Sequence, residues 1–221
     1  MGEQRTGAVR VLRNERQQMS GFQLLQALPY HSAKLTFFDP QYRAVMDNLS
    51  YGNEGARQKA RANLRQQTDH EIALFVQEIE RVLKPSGHLM MWTDKFSIGS
   101  GHHLSYFRFA PTLKIVDLIA WNSLRFGMGS RTRGATEYLV VAQKEPLRAK
   151  GVWGDQSIRD CWSESSDRDL HPHAKPFKLI ETLIRATTGR GDLVVDPCAG
   201  SYIVLEACRV SGREFAGCDI A

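Results

Sequence analysis

Nowhere does the 221-residue chain contain an apolar run approaching the roughly 18 residues of a membrane-spanning helix. Its opening, Met1-Gly2-Glu3-Gln4-Arg5, lacks the apolar centre of a secretory signal, so a cytoplasmic protein without membrane attachment is expected. Cysteine is scarce: Cys161, Cys198, Cys208 and Cys218 show neither CxxC spacing nor an accompanying histidine pattern. This argues against zinc-finger and disulfide frameworks and leaves reduced cysteines that fill a core. His102-His103 and His171-Pro172-His173 have no cysteine or carboxylate cluster beside them, so no metal is expected. Internal repeats and low-complexity tracts are missing too, which excludes repeat architectures. At 42% hydrophobic and 24% charged residues the composition is that of a folded chain, and its length suits one domain over 1–221.

What is present alternates between strand and helix patterns. Phe22, Leu24, Leu25 and Leu28 predict a brief helix ended near Pro29, and Leu35-Thr36-Phe37-Phe38 a buried strand that stops at Asp39-Pro40. Thr68-Asp69-His70-Glu71 is a capping box ahead of Ile72, Phe75, Val76, Ile79, Val82 and Leu83 at helical spacing. Lys84-Pro85-Ser86-Gly87 stops that helix, and Leu89-Met90-Met91-Trp92 is the next strand. Strands are predicted over 115–121 and 137–142, with an irregular connection from about 150 to 170. Pro176 opens a helix carrying Leu179, Ile180, Leu183 and Ile184 on one face. Leu193-Val194-Val195 leads to Asp196-Pro197, a helix follows over Val204, Leu205 and Cys208, and Phe215–Cys218 forms the final strand before Asp219. Such alternation predicts an α/β fold with a mostly parallel sheet and helices on both faces.

The net charge is +5, and its distribution says more than its size. Arg43, Arg57, Lys59, Arg61 and Arg65 crowd one stretch; Arg125, Arg131, Arg133, Lys144, Arg148 and Lys150 form a second. A basic face is ordinarily solvated surface, and gains meaning only beside a nucleic-acid site.

Chemistry in open α/β sheets lies outside the carboxyl ends of the strands. In Asp196-Pro197-Cys198-Ala199-Gly200-Ser201, small residues between strand and helix let the backbone approach a ligand. Asp219, after the next strand, is placed like a carboxylate that binds ribose hydroxyls, so the pair suggests an adenosine-containing cofactor. His171-Pro172-His173-Ala174-Lys175-Pro176 enters the preceding helix, with Lys175 in reach of the cofactor or of a carboxylate. At Asp39-Pro40-Gln41-Tyr42 a carboxylate and a backbone carbonyl can accept the two hydrogens of an exocyclic amine, while an aromatic ring stacks on the base.

In this order the three motifs resemble the β-class DNA amino-methyltransferases, whose catalytic Asp-Pro-Pro-Tyr precedes His-Pro-x-x-Lys-Pro and then Asp-Pro-Phe-x-Gly-Ser-Gly. Leu83-Lys84-Pro85-Ser86-Gly87-His88-Leu89 and Glu137-Tyr138-Leu139-Val140 resemble two further steps of that family, and the likeness runs from about Leu24 to Asp219. It implies a Rossmann-like methyltransferase fold with circularly permuted motif order, S-adenosyl-L-methionine as cofactor and DNA as partner. It further implies Asp39, Pro40, Gln41 and Tyr42 as catalytic residues acting on N6 of a flipped adenine. Asp196, Pro197, Cys198, Ala199, Gly200, Ser201, Asp219, His171 and Lys175 would bind the cofactor. Arg43, Arg57, Lys59, Arg61, Arg125, Arg131 and Arg133 would meet nucleic acid, with 43–67 as a basic loop over the site and 144–170 as a short target-recognition region. Gln41 stands in place of the second proline, and Tyr202 in place of a glycine, which predicts a narrower methionine side of the pocket. Cytosine-C5 chemistry through a Pro-Cys nucleophile is not expected. N4-cytosine methylation and a non-catalytic nucleic-acid-binding or regulatory role stay open, as does a homodimer.

Overall fold

A computed structural model describes residues 10–41, 67–127, 131–166 and 175–220. In chain order these form α1 (Gly21–Ala27), β1 (Ala33–Phe38), α2 (Asp69–Val82), β2 (Leu83–Thr93), α3 (Lys95–Ser100), a 3-10 turn (His102–Phe107), β3 (Leu113–Asn122) and β4 (Thr136–Lys144). They continue with β5 (Cys161–Ser163), α4 (Phe177–Thr187), β6 (Leu193–Asp196), α5 (Ile203–Ser211) and β7 (Glu214–Gly217). No helix among the described residues is long and apolar enough to cross a membrane.

The seven strands make one sheet in the order β5-β3-β4-β2-β1-β6-β7. β1 pairs in parallel with β2 and β6, β6 with β7, and β3 with β5, while β4 runs antiparallel to both neighbours. Six strands therefore share one direction, as the strand-helix-strand pattern predicts. The carboxyl ends of β1 and β6 lie side by side although the motifs that follow them are far apart in sequence.

Alternation along the central strands supplies two cores. Leu35, Phe37, Met90, Trp92, Leu139, Val141, Val194 and Phe215 face α4 and α5. Phe38, Leu89, Met91, Val140, Ala142, Val195 and Ala216 face α1 and α2. The helical stripes read from sequence are the buried ones: Ile72, Phe75, Val76, Ile79 and Val82 on α2, and Leu179, Ile180, Leu183 and Ile184 on α4. Thr68 caps α2 as expected, its hydroxyl oxygen accepting the Glu71 amide while the Glu71 carboxylate accepts the Thr68 amide.

Two local readings change. Lys84–Gly87 ends the helix but also enters β2 as an irregularity: β1 advances from Ala33 to Leu35 while its partner advances from Leu83 to His88. The irregular stretch 150–170 contains β5, a short edge strand whose pairing with β3 at residues 120–122 carries no alternating apolar signal.

The amino-terminal segment is built into the site end of the sheet. The Asp219 amide donates to the Gln17 carbonyl and the Met19 amide to the Asp219 carbonyl, both at 3.1 Å. Arg81 of α2 donates to the carbonyls of Leu25 and Leu28, closing the end of α1. Gly21 allows α1 to approach the turn after β6, since a Cβ there would stand 2.1 Å from the Pro197 carbonyl oxygen. Gly21→Ala is accordingly expected to cost about 1–3 kcal/mol of stability, visible as a lowered urea midpoint; an unchanged midpoint would show that the contact yields freely.

Candidate active site

The strand ends meet around one cavity of about 480 Å³. Its lining includes Asp39 and Gln41 beyond β1, Lys175 before α4, the whole turn from Asp196 to Ser201, and Asp219 beyond β7. Pro40 is buried next to the cavity without lining it. Of the remaining expected residues, Tyr42, Arg43, Arg57, Lys59, Arg61 and His171 lie outside the described residues, as does all of the 43–67 loop except Gln67. Gln67 and Gln41 hold each other: the Gln67 amide donates to the Gln41 carbonyl at 2.7 Å, and the Gln41 amide to the Gln67 side chain at 3.1 Å.

At the centre is an ammonium between two carboxylates. Lys175 Nζ lies 3.1 Å from Asp39 Oδ2 and 2.7 Å from Glu137 Oε2, and 4.7 Å from the centroid of the Trp92 ring. The Lys175 side chain is 14% exposed, against 32% for Asp39 and 44% for Glu137, so the cation is deepest. Burial disfavours the Lys175 ammonium, but the two facing carboxylates outweigh it and raise its pKa. Burial also raises the Asp39 pKa; Lys175 opposes that shift and Glu137 adds to it.

A second carboxyl lies one strand away. Asp196 is 5% exposed and accepts the Cys198 amide at 3.1 Å. Burial raises its pKa to about 8; the Cys198 amide opposes the shift, and the Asp39 and Asp219 charges reinforce it. Asp219 accepts the Gly200 amide at 2.8 Å, and the Ala199 amide donates to the Cys218 carbonyl at 2.9 Å, so the turn after β6 is stitched to the end of β7.

Cys198 follows Pro197, so a Pro-Cys pair of the kind that cytosine-C5 methylation uses is present in the sequence, but the thiol's surroundings do not activate it. Burial and the neighbouring carboxylates of Asp196, Asp39 and Asp219 push the thiol well above its ordinary value, the opposite of an activated nucleophile. Tyr202 does not narrow the cavity. Its backbone takes the left-handed conformation at φ 59° that a glycine would adopt without strain, and its ring packs against Phe215. Its hydroxyl donates to the Gln17 carbonyl at 2.9 Å, tying the amino-terminal segment to α5.

The basic residues divide. Arg131 and Arg133 are exposed, Arg133 lying over the Phe126 ring, whereas Arg125 donates to the Ser166 carbonyl. Lys144 is buried and donates to the carbonyls of Glu80 and Leu83, and Arg148 donates to Ser86 Oγ at 3.0 Å. Both belong to the far end of β4, away from the cavity, because that strand runs against its neighbours.

Residues missed by sequence reading are those whose relevance comes from pairing in space. Glu137 opens β4, and the antiparallel course of that strand delivers its first turns to the cavity end. Phe22, Glu71, Phe75 and Trp92 also line the cavity, although sequence showed them as helix or strand members only.

Residues 33–221 match the family model N6_N4_Mtase, described as DNA methylase. Among curated proteins, the type II methyltransferase M.HhaII of Haemophilus parahaemolyticus is 46% identical over 208 residues, 94% of this chain and 91% of the relative. The type II methyltransferase M2.DpnII of Streptococcus pneumoniae is 24% identical over 90% of this chain and 81% of its own length. Among solved structures, the PvuII DNA methyltransferase (cytosine-N4-specific) superposes with a TM-score of 0.67 at 18% identity, covering 94% of this chain and 82% of the other. The M1.HpyAVI–SAM complex gives 0.64 at 18% identity, over 94% and 93%. With the family model spanning the sheet and both Asp-Pro turns, the chain belongs to the N6/N4 DNA methylase family.

Proposed function

We propose that this DNA methylase uses S-adenosyl-L-methionine to methylate N6 of an adenine flipped out of DNA, with Asp39 holding the amine. The observation that carries the reading is the shared cavity: the Asp39 carboxylate and the Asp196–Ser201 turn open into the same space. Its volume lies within the ~300–1,000 Å³ of ligand pockets. Apolar walls from Phe22, Phe75 and Trp92, with carboxylates at two strand ends, suit a cofactor that combines an adenosine with a positive charge.

S-adenosyl-L-methionine supplies an electrophilic methyl group on a cationic sulfur. The chain's own part is positioning. Asp39 and the Pro40 carbonyl accept the two hydrogens of N6, which turns the nitrogen lone pair toward the methyl group. To do so Asp39 exchanges its contact with Lys175 for the amine, while Glu137 keeps the ammonium in place. Its raised pKa suits Asp39 to take up the proton that N6 sheds after transfer. The family likeness favours adenine because Asp39, not serine, heads the motif. N4 of cytosine presents the same pair of hydrogens, and the PvuII neighbour is named for it. Modification beside a restriction activity follows the reading of the type II relatives, and the exposure of Arg131 and Arg133 supports phosphate contacts by these two side chains.

Asp39→Ala is expected to lower methyl transfer to unmethylated DNA by more than about a thousandfold, while cofactor affinity by calorimetry stays within about threefold. Near-normal turnover would remove Asp39 from the mechanism. Glu137→Gln leaves Lys175 to Asp39 alone and is expected to lower kcat/KM for DNA about tenfold, with partial recovery in Glu137→Asp; an unchanged value would reduce Glu137 to a surface ion pair.

Asp196 gives a pH dependence. Its pKa of about 8 means that the charge facing a cationic cofactor is largely absent at pH 7 and present at pH 9, so affinity is expected to rise roughly tenfold between them. Stability runs the other way: a carboxyl whose folded pKa is raised favours the fold when protonated. That contribution is present in acid and is lost as pH climbs through about 8. Asp196→Asn should flatten both profiles, and an Asn variant that kept the wild-type slope of affinity would assign the titration elsewhere.

A further inference from the structure

The connection between β3 and β4 leaves the sheet at the same end as Asp39. β3 opposes β4, β4 opposes β2, and β2 parallels β1, so β3 and β1 run together. At its start stand two unburied apolar side chains, Leu124 at 62% and Phe126 at 85% exposure, the latter the most exposed large hydrophobic among the described residues. Their backbone is nevertheless fixed. The Ser123 amide and hydroxyl both donate to the Ala135 carbonyl, at 2.8 and 3.0 Å, and the Leu124 amide donates to Asn122 Oδ1 at 2.9 Å. Gly127 passes so close to Gly134 that a Cβ would meet its carbonyl oxygen at 1.9 Å. Between Leu124 and Phe126, Arg125 turns inward to the Ser166 carbonyl. Leu124 itself sits at φ 57°, a conformation that a leucine adopts only when its surroundings hold it there.

The charge that this connection carries is of one sign. Residues 123–135 contain Arg125, Arg131 and Arg133 and no carboxylate. Arg133 lies 5.3 Å from the Phe126 ring centroid, and Lys95 Nζ donates to Thr132 at 3.3 Å. An apolar tip with a cation against its ring, on a connection that carries only positive charge, is complementary to a base stack flanked by phosphates, and not to another basic surface. The tip is also tied to the catalytic cluster, since the Ala135 carbonyl that fixes Ser123 is two residues before Glu137.

We propose that Leu124 and Phe126 form an apolar wedge that enters the base stack of duplex DNA beside the extruded base, filling the gap that flipping leaves. This rests on the reading of duplex DNA as substrate. A vacated position in the stack exposes the faces of its neighbours to water, and a side chain inserted there stabilises the extruded state. Arg131 and Arg133 then meet the phosphates on either side.

The test compares wild-type enzyme with Phe126→Ala and Phe126→Trp on unmethylated plasmid DNA. Phe126→Ala is expected to lower kcat/KM for the duplex at least tenfold while cofactor affinity is unchanged, and Phe126→Trp is expected to retain most activity. Tryptophan emission of Phe126→Trp should be quenched by the same DNA beyond the quench that the wild-type chain shows, as stacking on bases requires. Equal kcat/KM for Phe126→Ala and wild type, or no added quench, would overturn the wedge while leaving the methylase reading intact. A wild-type enzyme that transfers no methyl group to DNA would instead overturn the reading beneath it. Loss of a dimer in Phe126→Ala by light scattering, with DNA kinetics unchanged, would assign the tip to a second copy of the chain and likewise overturn the proposal.

Discussion

The site is organised around one buried ammonium. Lys175 touches Asp39 at 3.1 Å and Glu137 at 2.7 Å and lies against the Trp92 ring, so it joins three elements of the sheet and the entrance of α4. Without it, two carboxylates would share a poorly solvated space and each would raise the other's pKa. With it, Asp39 keeps a charge partner. The same contact joins two parts of the cavity lining, since Lys175 stands between the end of the strand that leads to Asp39 and the helix that leads to Asp196.

Around that contact the fold does what a parallel sheet does well. β1 and β6 end side by side, which places two Asp-Pro turns in one cavity despite their distance along the chain. α1 closes one wall through the close approach of Gly21 to Pro197, and the segment from Gln17 to Met19 is bonded to Asp219, which lines the cavity. Charge is sorted as well: Asp39, Asp196 and Asp219 line the cavity, and Arg125, Arg131 and Arg133 lie on the connection from β3 to β4.

Much of this was legible because it lies in contiguous runs. The α2 stripe, the Thr68 capping box, the strand before Asp39-Pro40 and the turn after Asp196 each announce themselves within a few residues. What escaped depends on strand direction or on partners far away. Glu137 reads as a strand residue until the antiparallel course of β4 brings it to Lys175, and Lys144, at the other end of that strand, reads as a basic-patch member until it is found bonded to the carbonyls of Glu80 and Leu83. β5 is too short to show a period, and the departure at Tyr202 reads as a narrowed pocket until its ring is seen to face the core and its hydroxyl the Gln17 carbonyl.

The central claim concerns the atom that receives the methyl group. Incubating the chain with methyl-labelled S-adenosyl-L-methionine and unmethylated DNA, followed by digestion to nucleosides, reads that atom directly. The account requires label on N6-methyladenine; label on N4-methylcytosine, or no transfer at all, would contradict it.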